Sequence, residues 1–127
     1  MAVHSFEAAV DLSSHQWHFV RLSEDFTVST ITNGNAQVPF GVLLNDPIAG
    51  EAAEVALPGE ICFAEAGGSI SFNNHCSVNN DGELIAAPFE AAIGTADLYV
   101  CALALEDASD GEKFKILVLS PVPGSTE

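Results

Sequence analysis

The stretch Tyr99-Val100-Cys101-Ala102-Leu103-Ala104-Leu105-Glu106-Asp107-Ala108-Ser109-Asp110-Gly111-Glu112-Lys113-Phe114-Lys115-Ile116-Leu117-Val118-Leu119 decides the fold class. Two apolar runs of strand length flank a polar turn, the pattern of sheet strands joined by a short reversal. The same cadence continues upstream. Cys76 to Val78 and Leu84 to Ala86 surround Asn79-Asn80-Asp81-Gly82, a hairpin signal because Asp-Gly tolerates positive φ. Glu60 to Ala64 follows the turn dipeptide Pro58-Gly59, Ala52 to Leu57 precedes it, and Phe40 to Leu44 ends at Asn45-Asp46-Pro47. Phe26 to Thr32 is rich in β-branched residues and runs into Asn33-Gly34. A short segment at Ser69 to Phe72 reads as a further strand.

The first 25 residues stand before this regular spacing. Ser5 to Asp11 alternates loosely. His15 to Leu22 reads as a strand, with Trp17, Phe19 and Arg21 on one face and His18, Val20 and Leu22 on the other. Helix signals are weak. Ile48 to Val55 and Pro88 to Ala96 could each form a helical turn, and neither is long enough to stand without packing support. The expectation is an all-β chain of about ten short strands, folded as a small β-barrel, β-clip-like body or sandwich. Residues 1–25 form an N-terminal arm or edge strands, 26–120 the β body, and 121–127 a flexible Pro/Gly/Ser-rich tail.

Composition narrows the function classes. A chain of 127 residues fits one domain that needs no staple for its core, and an apolar fraction of 48% argues against disorder. Eighteen carboxylates face three basic residues, Arg21, Lys113 and Lys115, for a formal net charge of −15. Such a surface repels phosphate backbones and anionic lipid, so neither nucleic acid nor membrane is expected as a partner. No apolar run approaches the length of a bilayer span, and Met1 to Val10 lacks the basic start of a signal peptide. The cysteines Cys62, Cys76 and Cys101 are odd in number and irregularly spaced, so no disulfide framework is read. Cys62 and Cys101 sit in apolar runs as small buried hydrophobes.

No catalytic set emerges. His15 and His18, three apart, would point to opposite faces of a strand, so no metal site is expected from them. His75 and Cys76 are neighbours and point apart for the same reason. Asn79 to Glu83 has oxygen ligands but not the full calcium-loop pattern, and a hairpin turn explains it better. Phosphate-cradle and nucleophile-elbow motifs are missing. The expectation is a protein that is not an enzyme and takes no cofactor.

Pro39 to Val118 carries an ordered series of motifs. It runs through Gly41-Val42-Leu43-Leu44-Asn45-Asp46, Gly50-Glu51, Val55-Ala56-Leu57-Pro58-Gly59-Glu60, Ala66-Gly67-Gly68 and Asp81-Gly82-Glu83-Leu84. The closing strand is Phe114 to Val118. This progression, over about two thirds of the chain, resembles the capsid decoration (cement) proteins of tailed bacteriophages. The resemblance implies a small β body, commonly a homotrimer, made in the host cytoplasm. It also implies a place on the outer surface of the virion, between capsomers, bound to the major capsid protein and stabilising the shell. On that reading Phe6, Trp17, Phe19, Phe26, Phe40 and Phe89 are the candidate capsid or subunit contacts. The alternative is a small-ligand or carbohydrate-binding β module of a phage tail or fibre, with Trp17 and Tyr99 as stacking platform. A β-barrel nucleotide hydrolase is the third reading, disfavoured by the scarcity of Arg and Lys.

Overall fold

The computed structural model describes residues 4–24, 26–33, 37–86 and 99–123. They form strands β1 (His4–Ala8), β2 (Phe19–Leu22), β3 (Thr27–Thr30), β4 (Gly41–Leu43), β5 (Ala52–Ala56), β6 (Ile61–Glu65), β7 (His75–Val78), β8 (Leu84–Ala86), β9 (Tyr99–Ala104) and β10 (Lys113–Pro123). No helix is present among the described residues, as the weak helical signals imply. The strands make a closed barrel in the order β1-β3-β2-β4-β5 and a five-stranded sheet in the order β6-β10-β9-β7-β8.

Local chemistry places most of these strands. The turn Glu106 to Glu112 returns β10 antiparallel to β9, with Leu117 opposite Leu103. The Glu106 carboxylate accepts from the Lys115 amide at 2.8 Å, which ties the turn to the strand it launches. In the β7–β8 hairpin the Asn79 side-chain oxygen accepts from the amides of Asp81 at 2.9 Å and Glu83 at 3.0 Å. Gly82 there takes φ of 85°, the left-handed conformation the turn requires. The β9–β10 register shifts between Val118 and Val122, across Pro121, which has no amide to give the ladder.

The N-terminal segment is built into the barrel. β1 pairs antiparallel with β5, Phe6 opposite Ala53, and parallel with β3, Ala8 opposite Val28. This β1–β3 pairing closes the ring, so β1 and β2 each have two neighbours and neither is an edge. Residues 121–123 continue β10, and 124–127 lie outside the described residues. Three other expectations change. Ile48 to Val55 passes through a turn into β5, and Ser69 to Phe72 contributes only the isolated bridge of Ile70 to Ala108. The segment before Phe19 is a run of turns because Trp17 takes φ of 74°. Pro88 to Ala96 lies outside the described residues.

The core has two compartments separated by one wall. Leu12, Val20, Val28, Leu43 and Val55 fill the barrel interior. Phe19, Val42 and Ala56 point the other way and pack with Cys62, Ala64, Cys76, Leu84, Ala102, Phe114 and Ile116 of the sheet. Strands alternate their side chains, so β2, β4 and β5 serve both compartments with successive residues: Phe19 and Val20, Val42 and Leu43, Ala56 and Val55. Full burial of each large apolar side chain stabilises by roughly 1.5–3 kcal/mol, so this shared wall fastens the two halves together.

Candidate functional site

The aromatic candidates separate into different environments. Phe19 is 1% exposed in the wall between barrel and sheet. It is a core residue and offers no surface to a partner, which corrects its place among the contact candidates. Trp17 is half-buried, edge-on to Phe63 of β6 with ring centroids 6.3 Å apart. Phe89 lies outside the described residues.

Phe6, Phe26 and Phe40 come together. Phe6, in β1, meets Phe40 edge-to-face with centroids 5.2 Å apart, and Phe26 in a tilted contact at 5.7 Å. The backbone sets this ridge. Phe26 precedes β3 with φ of 60°, and its carbonyl accepts from the Glu7 amide at 3.0 Å, so its ring is thrown outward beside Phe6 and is 75% exposed. The Phe40 amide donates to the Val20 carbonyl at 2.8 Å, which holds Phe40 against the ring.

Concavities flank the ridge. On the Phe40 side lies a groove of about 480 Å³ walled by Leu22, Val38, Pro39, Phe40, Leu57, Pro58 and Pro121. Leu22 and Val38 are among the exposed large apolar residues. Arg21 and Gln37 also line it, and the Arg21 Nε donates to the Thr30 carbonyl at 2.9 Å, which fixes the guanidinium beside the apolar wall. On the other side, Ser5, Phe6, Glu7, Phe26 and Glu51 line a more polar hollow of about 340 Å³. An aromatic ridge, an apolar groove and an anchored cation thus lie side by side on this surface.

A second feature lies where the barrel meets the sheet. The turn before β2 folds so that the His18 amide donates to the His15 carbonyl at 3.0 Å, and the two rings meet edge-to-face at 5.3 Å. The strand-based expectation of opposite faces fails here because these residues are not in a strand. Burial and the neighbouring His18 lower the His15 pKa from its usual value. His18 is itself buried, with Nδ1 3.0 Å from the Asp81 carbonyl and Nε2 3.0 Å from Glu65 Oε1. Glu83 Oε2 stands 3.9 Å from the same nitrogen, and Lys113 Nζ 3.9 Å from Glu65 Oε1. No sequence signal joins these groups, since His18 and Glu65 are 47 residues apart.

The cysteines are free and buried. Burial pushes the Cys62 and Cys76 thiols up to about 12, and the Cys101 thiol well above its ordinary value. A thiol held protonated is a poor nucleophile, in keeping with the reading of Cys62 and Cys101 as small core hydrophobes.

The fold is that of a closed five-stranded barrel sharing one wall with a five-stranded antiparallel sheet. Searches find no matching protein-family model and no matching curated protein. Among solved structures, the chain is similar to the head fiber gp8.5 N base of bacteriophage phi29, with a TM-score of 0.66 at 16% identity, covering 94% of this chain and 95% of that one. The likeness establishes a shared fold.

Proposed function

We propose that this chain is a structural protein of a phage head, bound on the outer surface of the capsid through the Phe6–Phe26–Phe40 ridge and the groove beside it. The observation that carries this reading is the fold shared, over nearly the full length of both chains, with a base of a phage head fiber. The ridge supplies what such a role needs. Its aromatic rings bury large area at little entropic cost, and Arg21 offers a positioned cation to a carboxylate or carbonyl of the major capsid protein. The net charge of −15 keeps free copies apart until that docking is made. A homotrimer seated between capsomers would present the ridge three times, multiplying a modest affinity per copy and stabilising the shell. The carbohydrate-module alternative has less support, because Trp17 is half-buried and packs edge-on to Phe63.

The test is co-sedimentation of the purified chain with shells of the phage that encodes it. The wild-type chain is expected to pellet with shells. Phe26→Ala, folded by circular dichroism, is expected to bind about tenfold or more weakly. A chain that stays in the supernatant and is missing from purified virions overturns the reading.

A further inference from the structure

We propose that the junction of barrel and sheet is a binding site for a divalent transition metal of the zinc class, held by His18, Glu65 and Glu83. Three segments deliver these groups: the turn before β2, the end of β6 and the β7–β8 hairpin. Their ligand atoms, His18 Nε2 and one oxygen from each carboxylate, all lie within 4.8 Å of one another. Two of the separations are 3.0 Å and 3.9 Å. Ligand atoms about 2.0–2.2 Å from a tetrahedral zinc stand roughly 3.3–3.6 Å apart, so shifts of under about 1 Å complete the set. Side-chain exposures of 10% for His18, 21% for Glu65 and 23% for Glu83 shelter the site yet leave it partly open to solvent.

The surrounding bonds orient the ligands as a metal centre requires. The Asp81 carbonyl, 3.0 Å from Nδ1, can only accept, so Nδ1–H donates to it and Nε2 is aimed at the carboxylates. A ring nitrogen anchored to a backbone carbonyl is the usual support of a metal-bound histidine. The Asn79 amide donates to Glu83 Oε1 at 3.1 Å, leaving Oε2 as the oxygen that faces His18. With Nδ1 engaged in this way, Nε2 faces Glu65 Oε1 at 3.0 Å, the side on which an ion would sit. In the metal-free chain a hydrogen bond spans the two atoms. On binding, a metal–nitrogen bond forms at Nε2 and the proton shared in that hydrogen bond passes to solvent. One nitrogen with two carboxylates suits zinc better than magnesium or calcium, which take six or more oxygens. Lys113 is the competing cation, 3.9 Å from Glu65 Oε1 with a side chain 49% exposed that can swing out. The ion would staple the two halves of the molecule. The assignment is independent of the capsid reading.

The experiment titrates the full chain with zinc chloride against a chromophoric chelator and follows the thermal midpoint in parallel. Expected are one saturable equivalent, a rise in Tm with zinc concentration, and weakening of about tenfold or more in Glu83→Gln. Lys113→Ala is expected to bind more tightly, and Glu54→Gln, an exposed carboxylate on β5, to bind as wild type. Because His18→Gln can disturb folding, Glu83→Gln carries the test, with circular dichroism confirming its fold. Binding that is unsaturable, or equal in wild type and Glu83→Gln, overturns the assignment.

Discussion

Phe19 and Phe26 are the same side chain, each at the edge of a barrel strand, put to opposite uses. Phe19 opens β2 and is 1% exposed, because the sheet lies over the outer face of the β2-β4-β5 wall. Phe26 precedes β3 and is 75% exposed, its ring beside that of Phe6. A barrel wall covered by a second layer turns an outward aromatic into core, whereas an uncovered rim turns it into surface. Stability and partner binding should therefore separate cleanly between the two.

The sharpest test is energetic. Phe19→Ala is expected to cost roughly 3–5 kcal/mol in urea unfolding, since it leaves a cavity in the wall shared by both compartments. A loss below about 1 kcal/mol would mean that the layers are fastened elsewhere. Next comes Gly82→Ala. Its φ is 85°, and a Cβ there would stand 2.5 Å from the Phe19 carbonyl oxygen, so the change strains the hairpin and pries it from the wall. A loss of roughly 2–4 kcal/mol is expected. Gly50→Ala has a similar φ of 88° in open space and is expected to lose only about 1 kcal/mol.

Alkaline pH probes the sheet compartment without mutation. Above the ordinary thiol value of 9.0 the unfolded chain releases its thiol protons, while folded Cys62 and Cys76 keep theirs to about 12. The folded state then binds more protons, so stability falls as pH rises through this window. Urea midpoints should drop between those values, and a Cys76→Ala chain should drop less. The smallest expected effect is Phe26→Ala on stability, within about 0.5 kcal/mol. Together with lost shell binding, that result would assign the rim aromatic to contact alone.

Much of the strand pattern was legible because it is written locally. Asp81-Gly82 and Pro58-Gly59 mark reversals by backbone chemistry, and the β7–β8 and β9–β10 pairings follow from the runs they join. Trp17 was not legible: a bulky residue at φ of 74° is held by its surroundings, with its amide on the Leu43 carbonyl at 2.7 Å and its carbonyl accepting from the Glu65 amide at 3.0 Å. The same contacts delay the start of the expected strand to Phe19 and bring His18 against Glu65 of the sheet. Phe6, Phe26 and Phe40 could each be named as contact candidates, but their meeting depends on the β1–β3 closure.

By itself the sequence determined the all-β class, the turn positions and the acidic surface. Each of these depends on neighbours within a few residues or on a simple sum of charges. Tertiary structure alone decided that β1 closes a barrel, that Phe19 is core while Phe26 is rim, and that His18 meets Glu65 and Glu83. The reason is that alternation along a strand says which residues share a face, and only packing says whether another layer covers it.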